Sequence, residues 1–311
     1  MAESLAEQVV DAINDVSGAH PGFRAAHAKG VLIAASFEAA PDASRLTRAA
    51  HMQGDPVRAT VRFSNGGGNP DIPDYAREGR GMAVKFYLPD GSTTDIVGLA
   101  LPCFFARTPE DFLEFTRARK PDPETGQADM ERVGAWLGNH PEAGPAIQAA
   151  IGAPLPESYA TAVYNGIHSY RWVDAKGAGR FVRYRWEPED GARTISDEEA
   201  RERGRDYLIE DIANRSGAAF RLLVVLADES DPVDDPTVAW PEEREKVEVG
   251  RLELDGPDTA REQGDDVLVF DPMRLTDGIE PSDDPILRFR PRAYAVSVER
   301  RSGAPIPAGL S

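Results

Sequence analysis

The run Val57-Arg58-Ala59-Thr60-Val61-Arg62-Phe63-Ser64 alternates apolar and polar residues without a break, and no other feature limits the fold more. A period of two marks a strand, because successive side chains leave a pleated backbone on opposite faces. Arg62 and Ser64 therefore share one face, and Val61 and Phe63 the other. Arg180 to Trp186 alternates in the same way. Further strand-like runs lie at Val31 to Phe37, Gly81 to Leu88, Tyr164 to Val173, Ala218 to Ala227, Val247 to Leu254 and Val267 to Phe270. Some eight strands interrupted by helical stretches, with no regular strand-helix repeat, predict an α+β architecture: an antiparallel sheet or barrel with helices grouped apart.

Helical spacing appears first at residues 4 to 17, where Leu5, Val9, Ile13 and Val16 form one apolar stripe. This amphipathic helix is expected to do no more than pack, on the body of the chain or on a neighbouring subunit. Pro109 to Arg119 and Met130 to Leu137 read as helices too. After Ser196, which has capping-box spacing with Glu199, a charged helix is expected to run through Tyr207, Ile209 and Ile212 to about Arg215. Its dense mixed charge is that of a solvated face. Asp228 to Glu243, rich in Asp and Pro, reads as a long surface loop. With no internal repeat and no linker, residues 1–311 are expected to form one domain.

The 311 residues are 41% hydrophobic and 28% charged, enough for a large core. A formal charge of -18 would repel a phosphate backbone, so nucleic acid is not an expected partner. No stretch approaches the ~20 apolar residues of a membrane span, and the acidic N-terminus is unlike a secretory signal. Together with a single cysteine, Cys103, these features set the expectation of a cytoplasmic protein without a membrane partner.

Two short strings could carry chemistry. In Arg24-Ala25-Ala26-His27-Ala28-Lys29-Gly30 an imidazole, able to move a proton near neutrality, is flanked by alanines that leave room for something bulky. Alone, the string also describes a buried histidine with a satisfied ring. In Arg290-Pro291-Arg292-Ala293-Tyr294, a helix starting with Pro291 in its first turn would turn Arg290 and Tyr294 to the same side. A guanidinium beside a phenol favours the phenolate, a hard anion suited to ferric iron. Alone, the pair also describes a surface arginine stacked on a tyrosine. Gly66-Gly67-Gly68-Asn69-Pro70 follows a strand without opening a helix, so it reads as a turn rather than a phosphate cradle. His168 has no His or Cys at ligand spacing, which points to a structural or hydrogen-bonded role.

Taken in order, these segments resemble the haem catalase family, in particular its small catalase-related peroxidase branch. The Arg24 to Gly30 string is similar to the family's distal-histidine motif. Val61-Arg62-Phe63-Ser64, Arg80 to Tyr87, Asp95-Ile96-Val97-Gly98 and Pro102-Cys103-Phe104-Phe105 are similar to the segments that follow it. Gly278 to Ser282, ahead of Arg290 and Tyr294, is similar to the family's tyrosine segment. The matches span about His20 to Gly303. The resemblance implies an antiparallel eight-stranded β-barrel of the catalase type, with helices packed around it, and a haem cofactor of the b type. It implies Tyr294 as axial ligand to the haem iron, as tyrosine is in catalases, kept deprotonated by Arg290. It implies His27 as the distal base, oriented by Ser64. Arg24, Arg62 and Arg301 would pair with the haem propionates, and Phe104 and Phe112 would line the distal haem face.

Two departures shape the functional expectation. Leu99 stands where large catalases carry an asparagine that hydrogen-bonds peroxide, and leucine can neither donate nor accept. The chain also ends soon after the tyrosine segment and lacks the C-terminal helical region and long N-terminal arm of large catalases. Neither their subunit interlocking nor their nucleotide site is carried over. The expected activity is that of a haem peroxidase reducing hydrogen peroxide or organic hydroperoxides with a small organic reductant, with weak catalase activity at most and homo-oligomerisation left open. The alternatives are a fatty-acid hydroperoxide-converting or peroxygenase-type enzyme, a non-catalytic haem protein and an apolar-ligand barrel without haem.

Overall fold

The structure, a computed structural model, describes residues 3–259 and 267–303. Its strands are β1 (Gly30–Ala39), β2 (Val57–Asn65), β3 (Arg80–Tyr87), β4 (Thr93–Leu99), β5 (Leu155–Pro156), β6 (Tyr164–Asn165), β7 (Tyr170–Val173), β8 (Gly179–Pro188), β9 (Thr194–Ile195), β10 (Ala219–Leu226), β11 (Lys246–Pro257) and β12 (Ile279–Pro281). The helices are α1 (Leu5–Ser17), α2 (Ala43–Leu46), α3 (Pro109–Ala118), α4 (Met130–Asn139), α5 (Gly144–Gly152), α6 (Asp197–Arg203), α7 (Tyr207–Ile212) and α8 (Pro285–Ser302).

Strands β10, β11, β1, β2, β3, β4, β6 and β8 hydrogen-bond in that order, and β8 pairs again with β10. The result is the closed eight-stranded antiparallel barrel that the family resemblance implies. Closure works because β8 uses both edges. One edge pairs with β10 from Phe220↔Pro188 to Leu226↔Val182, and the other is divided between β6 and β7. A closed sheet leaves no unpaired ladder edge in its ring.

The alternation of β2 explains how the barrel is filled and how its outside is used. Val61 and Phe63 are fully buried inside it, with Phe37, Phe86, Trp186 and Phe220. Phe37 meets Phe86 edge to face at 5.1 Å, an arrangement that suits the ring quadrupoles. The other face of β2 carries Thr60, Arg62 and Ser64, and these are buried as well. Polar residues on the outside of a barrel would ordinarily meet water; here helices cover them. α1 lies against α3 through Val9, Ala12 and Leu113, and against α8 through Val10 and Val296.

Several elements differ from the sequence reading. Tyr164 to Val173 is two strands, interrupted at 166–169. Gly166 sits where a side chain would come within 3.1 Å of Tyr184, and His168 turns aside to meet Asp284. β4, not among the runs expected to be strands, is one of the barrel staves. Val267 to Phe270 forms no strand. The helix after Ser196 is two, α6 and α7, separated at Gly204, whose φ of 104° lies outside the helical region. α8 starts six residues before Pro291, at Pro285, capped by Asp284 Oδ1, which accepts from the amides of Ile286 and Leu287. Pro291 therefore lies inside the helix, with no N–H to offer the Leu287 carbonyl. Residues 228–243 contain no helix or strand, in keeping with a long loop.

Candidate active site

The outer faces of β2, β3 and β4 form the floor of the site, and their register sets its plan. Ser64, Gly81 and Leu99 stand in one row across the three strands, and Arg62, Ala83 and Val97 in the next. The His27 ring lies over Gly81. A Cβ at residue 81 would come within 2.9 Å of both His27 Cε1 and Ser64 Oγ, so this position admits no side chain. His27 is the one non-glycine residue among those described with positive φ, at 55°. The left-handed conformation costs a side-chain-bearing residue roughly 1 kcal/mol, and the neighbouring chain holds it. Gly66 O accepts from the His27 amide at 3.2 Å, and Gly67 O accepts from the Ala28 amide at 3.0 Å. The triglycine run is thus a turn, as read, and also a clamp on the histidine segment. Arg62 Nη2 adds a donor to His27 O at 2.8 Å.

His27 Nδ1 and Ser64 Oγ share a hydrogen bond of 3.0 Å. Nε2 has no hydrogen bond among the described residues, and the ring lines the cavity above. Burial, reinforced by the positive charges of Arg62, Arg290 and Arg24, pulls the imidazole pKa down to about 3. The ring is therefore neutral at physiological pH and carries one free lone pair.

Tyr294 and Arg290 enter from α8. Arg290 donates to Tyr294 Oη twice, from Nε at 2.8 Å and from Nη2 at 2.5 Å. Its third contact, from Nη1 to His168 Nε2 at 2.9 Å, fixes a tautomer. A guanidinium can only donate, so Nε2 accepts and His168 Nδ1 carries the proton. Nδ1 donates it to Asp284 Oδ2 at 2.6 Å. Burial holds the His168 pKa low despite this carboxylate, in keeping with a neutral, bridging ring. Burial also opposes the Arg290 charge, but the Tyr294 oxygen outweighs it and raises the pKa. His168 thus has the hydrogen-bonded role expected of it, while its partners lie too far along the chain to be read from spacing.

Between His27 and Tyr294 lies a cavity whose empty space, open mouth included, is about 840 Å³. Gly81, Ala83, Val97 and Leu99 line it from the barrel, and Val10 and Ile13 from α1. α1 therefore does more than the packing expected of it; its amphipathic spacing was visible, but the object its apolar stripe faces was not. Arg24, Arg62 and Arg301 also line this cavity. Among the described residues neither Arg24 nor Arg301 meets a carboxylate, and Arg24 donates only to Leu268 O at 2.7 Å. Burial and the nearby charges of Arg62 and Arg301 pull the Arg24 pKa down to about 8. A guanidinium does not readily give up its proton, so this cluster calls for an anionic ligand. Phe104 and Phe112 stack with centroids 5.9 Å apart and planes at 7°, but neither lines the cavity. Phe112 packs in the layer behind, with Ile13 and Leu113.

The segment before α8 also reaches the cavity, through Val269 and Phe270. It is tied down by Asp95 of β4, which accepts from the Asp271 amide at 2.8 Å, from Arg274 at 2.6 Å and from Lys85 Nζ at 2.6 Å. An apolar slot with small floor residues, a phenol oxygen on one wall, an imidazole on another and an arginine cluster together fit a flat, dianionic haem.

The catalase family model matches residues 9–307. The chain is 44% identical over 301 residues to a catalase-related peroxidase of Mycolicibacterium paratuberculosis, covering 96% of this chain and 95% of that protein. It is 34% identical to a catalase-related peroxidase of Synechococcus elongatus, over 95% of this chain and 88% of that one. A fungal catalase structure superposes with a TM-score of 0.79 at 28% identity, over 92% of this chain and 60% of its own. For a bacterial catalase structure the values are 0.80, 26%, 94% and 59%. This chain thus spans about three fifths of the length of the solved catalases. The family model covers nearly the whole chain and the two peroxidases match over almost all of it, so the chain belongs to the catalase family.

Proposed function

We propose that this chain is a haem-dependent peroxidase that reduces hydrogen peroxide or an organic hydroperoxide with a small organic donor and dismutates peroxide only weakly. The observation that carries this reading is a cavity lined both by an imidazole with a free Nε2 and by a tyrosine whose oxygen accepts two N–H bonds from one arginine. The names of the two catalase-related peroxidases support it. Haem is taken to be of the b type, held without covalent attachment, since the one cysteine, Cys103, does not line the cavity.

Bound there, haem would supply the iron that takes up peroxide and the oxidising equivalents drawn from it. Tyr294 Oη would hold the iron, its oxygen accepting two N–H bonds from Arg290, which His168 and Asp284 steady in turn. Arg24, Arg62 and Arg301, which line the cavity, would pair with the propionates. His27 Nδ1–H donates to Ser64 Oγ, which aims Nε2 at the peroxide. Nε2 takes the proton from one peroxide oxygen and delivers it to the other, which leaves as water or, from an organic hydroperoxide, as alcohol. Two donor molecules then each give one electron and one proton, completing reduction of the second oxygen to water. Leu99, beside Gly81 in the row under His27, offers a second peroxide no hydrogen bond. This is why donor oxidation is favoured over dismutation.

We read the barrel and its covering helices as one domain and place it in the cytoplasm, a reducing setting that suits a lone buried cysteine. Whether it self-associates is open to measurement by light scattering. The function is tested by the visible spectrum of the protein with added haem, for the parent and for Tyr294→Phe. The parent is expected to take up haem one to one, and the variant to bind it more weakly with an altered spectrum. A parent that stays colourless overturns the reading. A non-catalytic haem protein is recognised separately, because in that case His27→Ala behaves like the parent towards peroxide.

A further inference from the structure

A second cavity opens beside the first, between the C-terminal half of α1, residues 18–25 and the last turns of α8. It encloses about 810 Å³, mouth included, and shares Val10, Arg24, Ala25, Ser297 and Arg301 with the haem cavity. The two are therefore contiguous, with both arginines in their common wall. Each guanidinium has five N–H donors in a planar fork, so one arginine can serve a propionate on one side and a second carboxylate on the other.

The rest of the vestibule is equally specific. Phe23 lies in its wall and is 48% exposed, one of few large apolar side chains left so open. An aromatic face beside guanidinium groups suits a planar ring that bears an anionic tail. His20 is fixed by a hydrogen bond between Nε2 and Ser17 O at 3.0 Å, and its ring packs on Gly18, where a Cβ would come within 3.1 Å of Nε2. Arg300 pairs with Asp11 at the rim. On a chain of formal charge -18, this mouth is a local reversal of sign.

We propose that the vestibule is where the organic electron donor docks, and that it selects aromatic monoanions: phenols with a carboxylate tail, the carboxylate on Arg24 and Arg301 and the ring against Phe23. The proposal rests on the peroxidase reading. Each of two donors loses one electron and its phenolic proton to become a phenoxyl radical, and the peroxide gains two electrons and two protons to become two waters. The donor binds at the propionate side, where electrons have only the shared wall to cross, and the peroxide keeps the His27 side to itself.

The test compares three para-substituted phenols as donors to the haem-loaded enzyme: 4-hydroxyphenylacetate, p-cresol and tyramine, which are anionic, neutral and cationic. The parent is expected to show the lowest KM for the anion and the highest for the cation, the anion's KM rising with salt. Phe23→Glu and His20→Glu change neither the haem ligands nor the peroxide-cleaving residues. His20→Glu, at a side chain that takes no part in holding the donor, is expected to raise the anion's KM about five- to tenfold, the effect of one like charge added at a partly screened mouth, and to leave peroxide consumption with p-cresol at saturation unchanged; Phe23→Glu is expected to raise the anion's KM by a similar factor. Calorimetry with phenylacetate, which cannot be oxidised at a phenol, gives a second readout, and its affinity should fall by the same factor in both variants. Equal KM for the three phenols, or phenylacetate binding indifferent to both substitutions, overturns the donor site alone. An enzyme that oxidises none of the three overturns the peroxidase reading and the donor site with it.

Discussion

His27 depends on the residues that are small around it as much as on its own chemistry. Gly81 leaves the floor bare beneath its ring, and Gly66 and Gly67 present carbonyls to the strained segment. Gly81→Ala should therefore push the imidazole off Ser64 without touching the haem-side ligands. Haem uptake is expected to survive, while the peroxide-cleavage rate in stopped flow drops roughly tenfold to a hundredfold, the usual cost of a displaced catalytic group. Unchanged cleavage would show that the ring tolerates another seat. Leu99 is the complementary case, a residue whose effect is what it cannot do. Leu99→Asn restores an amide in the row under His27, and oxygen release per mole of donor oxidised should rise severalfold. Vigorous oxygen evolution by the parent would defeat this account of Leu99. Most of this constellation was legible at the level of residues, because His27, Ser64, Leu99, Arg290 and Tyr294 stand in strings that keep their local order. The reach of Arg290 to His168, 122 residues away, was not.

At the scale of elements, α1 changes meaning most. Its stripe of Leu5, Val9, Ile13 and Val16 identifies an amphipathic helix, and period alone cannot say whether the stripe meets core, subunit or ligand. In the fold it closes over the barrel's outer face, packed on α3 and α8, with Ile13 only partly buried and turned into the cavity. Ile13→Asp should leave the fold intact and place a charge in the cavity wall, where an unpaired carboxylate is costly. Haem transfer to an excess of apomyoglobin is expected to become about tenfold faster, and an unchanged rate would mean that α1 does not retain the cofactor. α8 teaches the opposite lesson. Proline ordinarily marks a first turn, but the Asp284 cap and the burial of Ile286 and Leu287 start the helix earlier and carry it through Pro291. β4 was missed as a strand because Thr93-Thr94-Asp95 interrupts its apolar pattern. Asp95 is polar for a tertiary reason, its hold on Lys85, Arg274 and the Asp271 amide.

At the scale of the whole molecule, two side chains of the barrel interior carry polar atoms without a partner among the described residues, Trp186 through Nε1 and His51 through both ring nitrogens. His51 is fully buried beside Phe86, ring centroids 4.8 Å apart, and neither ring nitrogen has a hydrogen-bond partner. Burial alone pulls its pKa from 6.5 to about 3. The unfolded chain thus binds a proton that the folded barrel refuses, so stability is full above pH 6.5 and is lost as pH falls from there towards 3. His51→Leu removes both the orphaned nitrogens and this proton linkage. It should stabilise the protein by about 1–3 kcal/mol at pH 7, and the advantage should widen by about 2 kcal/mol at pH 5. Urea unfolding at the two pH values measures both, and an advantage that does not grow on acidification would show that His51 finds a partner. By itself the sequence determined the period-two strands of Val57 to Ser64 and Arg180 to Trp186, which short strings carry the histidine, the arginines and the tyrosine, and that a leucine, Leu99, follows the Asp95 to Gly98 run. These are local properties, set by pleat, helical period and residue identity within a few positions. Only the tertiary structure decided that α1 walls the cavity, that His168 and Asp284 steady Arg290, and that Arg24 and Arg301 stand between two cavities. Such neighbours are brought together by barrel closure across long stretches of chain, and no local pattern encodes which covered face will meet which helix.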